Sequence, residues 1–193
     1  MGPVSISRAL TEEFAARWLA AHPHGRLVER DLATTAIPPI DAAWIAANYT
    51  PRCERTAAQH ELLALSTELT AELLAADAVV AGVPMHNWGP PASFKLWADQ
   101  IVRFGETLAI TPDGLRGTLA HKRITCIVTA GRHFIAHADR DHVGPWLRTF
   151  FGHLGADVAT VFVDGTADVR HRRIERGAFL DRHRATIDAL TET

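Results

Sequence analysis

The sequence predicts an α/β fold, a three-layer α/β/α sandwich in which helices cover both faces of a parallel sheet. The run Ala78-Val79-Val80-Ala81-Gly82-Val83 is short and continuously apolar, as is typical of a strand buried on both faces. Such runs alternate with segments in which apolar residues recur at steps of three and four, the pattern of a helix face. The chain has 193 residues and no repeat or low-complexity linker. A single domain over residues 1–193 is therefore expected.

The first half of the chain is predicted to form two helices and two strands. A helix is expected at residues 7–21, where apolar side chains lie four apart at Leu10, Phe14 and Trp18. A strand at residues 26–32 precedes a turn-prone, irregular but packed stretch that runs to Pro51. The helix at residues 56–75 has a stripe of leucines at Leu62, Leu65, Leu69 and Leu73, and it leads into the strand at residues 78–83.

The second half continues the alternation and brings the total to about four strands and five helices. The helix at residues 91–105 begins after two prolines, where a missing backbone donor costs nothing, and its apolar face comprises Phe94, Trp97, Ile101 and Phe104. A turn at residues 111–114 precedes a strand at residues 123–129. The remaining elements are an amphipathic helix, a β-branched strand and a last helix, at residues 143–154, 157–163 and 169–190.

Composition excludes several classes of protein. A net charge of -2 gives no long-range field that would attract nucleic acid or an anionic membrane, so neither partner is predicted. The basic stretch from Arg170 to Arg184 has the spacing of a solvated helix face. No run approaches the roughly 18 to 20 apolar residues that cross a bilayer. Cys53 and Cys126 cannot form a disulfide framework, which favours a reducing compartment, and a cytoplasmic location is expected.

The loop between the strand at 78–83 and the next helix is the most informative segment. It reads Val83-Pro84-Met85-His86-Asn87-Trp88-Gly89-Pro90-Pro91 and combines flat, polarizable side chains with an amide. Open α/β sheets bind ligands beyond the carboxyl ends of their strands. This position predicts a site for a flat cofactor.

Together with other segments, this loop carries a resemblance that runs almost from end to end. The matching residues are Ser5-Ile6-Ser7, Glu29-Arg30-Asp31-Leu32, Pro84-Met85-His86-Asn87-Trp88, Phe94-Lys95-Leu96-Trp97, Pro112-Asp113-Gly114-Leu115, Thr129-Ala130-Gly131-Arg132, Pro145-Trp146-Leu147 and Phe150-Phe151-Gly152. With these residues the chain resembles the FMN-dependent NADH-azoreductases and the related NAD(P)H quinone reductases. The resemblance implies a flavodoxin-like fold.

The resemblance implies three FMN-binding segments. Ser5, Ile6 and Ser7 would hold the phosphate, since hydroxyls and unpaired N–H groups at a helix start favour an anion, although an ordinary N-cap explains them too. Met85, His86, Asn87 and Trp88 would line the ring and ribityl chain, the alternative being a loop whose aromatic packs into the core. Ala130, Gly131, Arg132 and His133 would approach the pyrimidine edge. The family usually has tyrosine at the position of His86 and a second glycine in the third segment.

The function implied is transfer of a hydride from NAD(P)H through FMN to a quinone or azo compound, by a ping-pong mechanism in a homodimer. No side chain is expected to act as acid, base or nucleophile. His133, His137 and Asp141 are spaced four apart, as metal ligands on a helix would be, but solvated histidines are the favoured interpretation and no metal is assigned.

One departure from the usual chain order affects the sheet. Doubly wound domains open with a strand that feeds the first phosphate-binding turn, whereas this sequence reaches its first helix within a few residues. The sheet is therefore expected to lack the usual first strand. Either a gap near 10 Å wide remains, or the flanking strands pair directly, or the sequence is a late-started version of a longer chain. The alternative function is a non-catalytic flavodoxin-like remnant that acts as a dimerising or binding module without FMN.

Overall fold

The computed structural model describes residues 5–133 and 138–191. The helices are α1 (Ile6–Ala21), α2 (Ala42–Tyr49), α3 (Ala57–Leu62), α4 (Ala64–Ala75), α5 (Ala92–Gln100), α6 (Val143–His153), α7 (Thr166–Arg170) and α8 (Arg176–Thr191). The strands are β1 (Ala78–Pro84), β2 (Leu108–Thr111), β3 (Gly114–Gly117), β4 (Arg123–Thr129) and β5 (Asp157–Val163). Within the described ranges, no helix is long and apolar enough to cross a membrane.

A parallel sheet with the strand order β1-β4-β5 forms the centre of the fold. The pairing brings Pro84 opposite Thr129, and Thr129 opposite Val163, so the carboxyl ends of all three strands lie level at one edge. The central strand β4 is buried from Ile124 to Thr129 because it has a neighbour on each side and helices on both faces. Strands β2 and β3 form a separate antiparallel hairpin.

Two apolar clusters separate the helices into layers on the two faces of the sheet. On one face Ile127 of β4 packs with residues of α1 and α8, among them Leu10, Phe14 and Ile187. On the other face the alternate β4 residues pack with α4, α5 and α6 in a larger cluster that includes Ile124, Cys126, Val128, Leu69, Phe94, Leu147 and Phe151. This alternation follows from the two-residue period of a strand. The predicted three-layer α/β/α arrangement with a parallel sheet is confirmed.

The prediction of a strand at residues 26–32 is wrong. These residues form no β-ladder with any described residue, and Leu27 and Val28 are about half exposed. Side chains hold the segment instead: Arg30 pairs with Glu68 and Glu72 of α4. A strand needs a neighbour for its backbone groups, and no described strand lies on the outer side of β1. Within the described residues, segment 26–32 therefore does not pair with β1, and the lack of the usual first strand stays a prediction.

Other boundaries differ because capping and side-chain packing override the apolar pattern. The stretch predicted to be irregular contains α2, whose start is capped by Asp41 through the N–H of Trp44 at 2.8 Å. The helix predicted at residues 56–75 breaks at Leu63, which is buried, so Leu62 is 42% exposed rather than part of the leucine stripe. The predicted helix at residues 91–105 ends at Gln100, and the last helix divides into α7 and α8. The hairpin of β2 and β3 was not predicted.

Candidate functional site

The three segments singled out in the sequence lie at the carboxyl edge of the parallel sheet. The loop after β1 is joined to β4 by a hydrogen bond from the N–H of Met85 to the carbonyl of Thr129, at 2.7 Å. The loop after β4 is joined to β5 by the N–H of Ala130, which donates to the carbonyl of Val163 at 2.9 Å. The start of α1 lies against β1 near Gly82, where an added Cβ would lie 3.3 Å from the carbonyl oxygen of Ser7.

The first segment combines a helix cap with unused donors. The hydroxyl of Ser5 accepts from the N–H of Arg8 at 3.3 Å, so the N-cap interpretation is correct. The hydroxyls of Ser5 and Ser7 lie 3.2 Å apart, and Ser7 is buried. The N–H groups of Ile6 and Ser7 meet no acceptor within residues 5–133 and 138–191. Two hydroxyls and two N–H groups without an acceptor in the described ranges therefore lie together at a helix start, a combination that suits an anion.

The second segment forms a tight turn whose tip is held in the left-handed region. His86 and Gly89 exchange backbone hydrogen bonds of 2.9 and 3.1 Å, and the two residues between them have positive φ angles, 49° at Asn87 and 72° at Trp88. Asparagine tolerates this conformation, whereas a bulky aromatic residue rarely adopts it. Strain of this kind concentrates at functional sites. The turn presents the indole of Trp88, which is 46% exposed.

Two open clefts flank this turn. One, of about 560 Å³, is lined by His86, Asn87, Pro90, Ala92, Lys95 and Trp146. The other, of about 590 Å³, is lined by Trp88, Arg140 and His142. Below the first cleft, Trp146 stacks on Phe150 with ring centres 5.1 Å apart. The second predicted segment thus lines both clefts, apart from Met85, which packs against the core, whereas the first and third segments line neither.

In the third segment the carbonyl groups of residues 130–132 accept hydrogen bonds, whereas the N–H groups of residues 131–133 have no acceptor among the described residues. The carbonyl of Ala130 accepts from the N–H of Thr166 at 3.0 Å, and the carbonyl of Gly131 accepts from that of Ala167 at 2.9 Å. The carbonyl of Arg132 also accepts a hydrogen bond from the start of the next loop. Three consecutive N–H groups, those of residues 131–133, have no acceptor among the described residues. They form a row of backbone donors at the edge of the sheet.

The imidazole of His133 lies between two carboxylates. Its Nε2 lies 3.1 Å from Oδ2 of Asp168, and its Nδ1 lies 3.6 Å from Oδ1 of Asp164. The hydrogen bond to Asp168 is the main reason that the pKa of His133 is raised, and the same bond lowers the pKa of Asp168. Of the histidines considered as metal ligands, His137 lies outside the described residues. Among those that are described, no group of three or more His, Cys, Asp or Glu side chains is arranged to hold a metal.

Comparison with known proteins settles the family. A family model described as a flavodoxin-like fold matches residues 2–188. An FMN-dependent NADH:quinone oxidoreductase of Burkholderia lata is 55% identical over 194 aligned residues, which cover 98% of this chain and 94% of the relative. One from Acidobacterium capsulatum is 42% identical, over 92% of this chain and 88% of that protein. The chain belongs to this flavodoxin-like family.

The solved structures agree with the flavodoxin-like assignment. The crystal structure of azoreductase AzrA superposes with a TM-score of 0.81 at 25% identity, covering 95% of this chain and 91% of that one. The family and fold predicted from the sequence are therefore confirmed. FMN, the predicted cofactor, is the one on which both relatives depend by name.

Sequence reasoning missed two parts of this flavodoxin-like site. Lys95, Arg140 and His142 line the clefts, and the segment from Asp164 to Ala167 holds the third loop. The signal for the latter was present, because Asp164-Gly165 directly follows a strand at the carboxyl edge. Arg140 and His142 gave no comparable signal, since they lie in a turn whose orientation depends on packing, whereas Lys95 belongs to a segment that carries the resemblance.

Proposed function

We propose that this chain is an FMN-dependent reductase that takes a hydride from NAD(P)H and passes the electrons to a quinone or azo compound. The named relatives are NADH:quinone oxidoreductases, which supports NADH as the donor. The observation that carries the proposal is a grouping at the carboxyl edge: N–H groups at the start of α1 and after β4 have no acceptor among the described residues, and an exposed aromatic turn follows β1. Bound FMN would supply the hydride and electron chemistry, so the protein's task is to hold and orient it.

The start of α1 suits the phosphate end of FMN. Two N–H groups, of Ile6 and Ser7, point out of the helix start, where the macrodipole favours negative charge. The hydroxyls of Ser5 and Ser7 add donors next to them. Arg8 is paired with Asp31 at 2.6 Å, so these neutral donors, rather than that guanidinium, would contact the phosphate.

The turn and the third loop suit the ring. Trp88 offers an exposed polarizable surface, and Met85 would support the ring from the base of the turn, where it packs against the core. Asn87 offers an amide donor and acceptor, and His86 stands where the family usually has tyrosine. The N–H groups of residues 131–133, which meet no acceptor in the described part of the chain, would donate to the pyrimidine edge, where negative charge develops on reduction. Ala130 would act only by position, because its N–H and carbonyl are both occupied. These assignments of Arg132, His133 and the other site residues to FMN are part of the proposal.

A ping-pong mechanism follows from a single stacking face. NAD(P)H and the electron acceptor would use the same face in turn, since no Gly-x-Gly-x-x-Gly sequence for a tightly held dinucleotide follows a strand. A homodimer is also proposed. It is supported by α2, whose exposed side chains are apolar and include Ile45 and Tyr49, which are 43% and 66% exposed. A cytoplasmic location and a single domain over residues 1–193 stay predictions.

The first test is FMN binding by the purified apoprotein, followed by flavin fluorescence. We expect Asn87→Gly to weaken binding, because glycine keeps the positive φ of the turn while the amide is lost. His121→Gly is the matched control: its φ is 69°, and it lies next to the opposite end of β4. About tenfold weaker binding is expected for the Asn87 variant, the effect of one lost hydrogen bond.

The outcome also separates the reductase from its alternative. Binding followed by anaerobic bleaching of the flavin with NADH supports the reductase. A wild-type protein that binds no FMN at about 100 micromolar, far above the range of a working cofactor site, supports the non-catalytic remnant. The remnant is considered because the outer side of β1 has no strand partner in the described part of the chain.

A further inference from the structure

The third loop is fastened to α7 by two kinds of contact. The first is the backbone, whose carbonyls at residues 130–132 accept from residues 165–167. The second is the side chain of His133, whose ring covers Gly165 so closely that a Cβ there would lie 2.4 Å from Cε1. Gly165 has a φ of 75°, so both its backbone and its surroundings require glycine. The ring and the glycine therefore fit together as one contact.

The carboxylates on either side of the ring select its charged form. An imidazolium donates from both nitrogens, so it can face Asp168 and Asp164 together, whereas a neutral ring must turn a lone pair toward one of them. Asp164 is 9% exposed, whereas the His133 side chain that it faces is 71% exposed, so water partly screens the pair. The other oxygen of Asp168 accepts from Nη1 of Arg173 at 3.0 Å, which holds that carboxylate in place.

We propose that His133 is a positioning residue: as an imidazolium between Asp164 and Asp168, it fixes the third loop so that the N–H groups of residues 131–133 face the FMN pyrimidine. This inference rests on the proposed function. His133 would act on the flavin through the loop that it holds.

The pH dependence has a definite sign. The pKa of His133 in the folded protein is raised, first by the hydrogen bond to Asp168 and further by the charge of Asp164. The hold on the loop is thus complete below the ordinary histidine pKa of about 6.5 and is lost as the pH rises through the raised value. Other charged groups nearby are Arg173, Arg132 in the same loop, and His183 of α8. Burial lowers the pKa of His183, and the negative charge of Asp164 acts in the opposite direction.

The test compares FMN affinity across pH in the wild type, His133→Gln, Asp168→Asn and the control His153→Gln, an exposed histidine at the end of α6. In the wild type and the control we expect affinity to fall about fivefold as His133 loses its proton, the lower end for two coupled binding events. His133→Gln should abolish that step, and Asp168→Asn should move it to lower pH. The phosphate of FMN also titrates near pH 6, but it does so in all four proteins, so their comparison removes it.

A second measurement does not require FMN. Histidine carbon–hydrogen resonances of the apoprotein, with His133 assigned by its loss in His133→Gln, report the pKa directly, and Asp168→Asn should lower it. If wild type binds FMN with no pH step, or if His133→Gln keeps the step, the positioning role is overturned while the reductase proposal stands. If no FMN binds at any pH, the reductase proposal fails. In that case the pKa of His133 still tests the contact. If this pKa is not raised in the wild type and does not change in Asp168→Asn, the contact between His133 and Asp168 is overturned. If it is raised and Asp168→Asn lowers it, the contact is supported.

Discussion

At the strained turn, a glycine variant of Trp88 should be more stable than an alanine variant, whereas in a regular element the order is the reverse. Glycine in a regular element is less stable than alanine by about 0.5–1 kcal/mol, because it loses more conformational freedom on folding. At Trp88 the φ angle is 72°, which costs a residue with a Cβ about 1–2 kcal/mol. Trp88→Gly should therefore be more stable than Trp88→Ala by about 1 kcal/mol, since both variants lose the same indole contacts.

Urea unfolding of the apoprotein measures this difference. The control pair is Ile45→Gly and Ile45→Ala, at a similarly exposed position inside α2, where glycine should be the less stable by about 1 kcal/mol. The difference in unfolding free energy between the glycine and alanine variants thus has opposite signs at the two positions. The two differences lie about 2 kcal/mol apart, which exceeds the error of comparing midpoints at constant m-value. If Trp88→Gly proves no more stable than Trp88→Ala, the turn is not strained and the reasoning is refuted.

The same two variants test the role of the ring. Neither retains an aromatic side chain, so both should bind FMN more weakly by up to about tenfold, the value of one aromatic contact. Because the glycine variant relieves the backbone, its weaker binding cannot be ascribed to a distorted turn. Undiminished affinity in both variants would remove Trp88 from the flavin site and leave the strain without a functional explanation.

Two further predictions concern the core. Cys126 is buried and its pKa is raised to about 12 by burial, so a thiol reagent should modify only the exposed Cys53 in the folded protein; rapid reaction of both thiols would contradict this. Ile127 is fully buried at the centre of β4, so Ile127→Ala should lower the free energy of unfolding by about 2–5 kcal/mol. The control Ile110→Ala, at a side chain 74% exposed, should change it by about 0.5 kcal/mol or less, and equal losses in the two variants would show that the sheet centre is misplaced.

The sequence predicted best the strands that pair with a strand beside them. The bounds of β4 and β5 were predicted to the residue, because both segments are rich in β-branched residues and each pairs with the other in the parallel sheet. Residues 26–32 were also predicted to be a strand, but no described strand lies beside them, and strand formation depends on that neighbour. The break at Leu63 was equally hidden, since either Leu62 or Leu63 fits a helical stripe until its packing partners are known.

Within the site, the features that depend on consecutive residues could be predicted, and those that depend on long-range contacts could not. The location of the Met85–Trp88 loop followed from a strand, a loop and a helix that are consecutive in the chain. The bridge from His133 to Asp168 spans 35 residues and depends on the parallel register of β4 and β5. A short-range pattern cannot report such a contact. The same holds for the occupied carbonyls of the third loop, because their donors belong to α7.

The outer side of β1 raises the question of what holds the first segment in place. In the flavodoxin-like order 2-1-3-4-5 a strand lies beside this position, whereas here α1 packs on the face of β1. A Cβ added at Gly82 would lie 3.1 Å from Cγ2 of Thr11, tighter than nearly all real contacts, so glycine permits this close approach. Contact with a strand face does not require a strand at its edge. The contact of α1 with the face of β1 is therefore enough to bring the start of this helix to the carboxyl edge, and FMN affinity then depends on whether the donors of Ser5, Ile6 and Ser7 suffice for the phosphate.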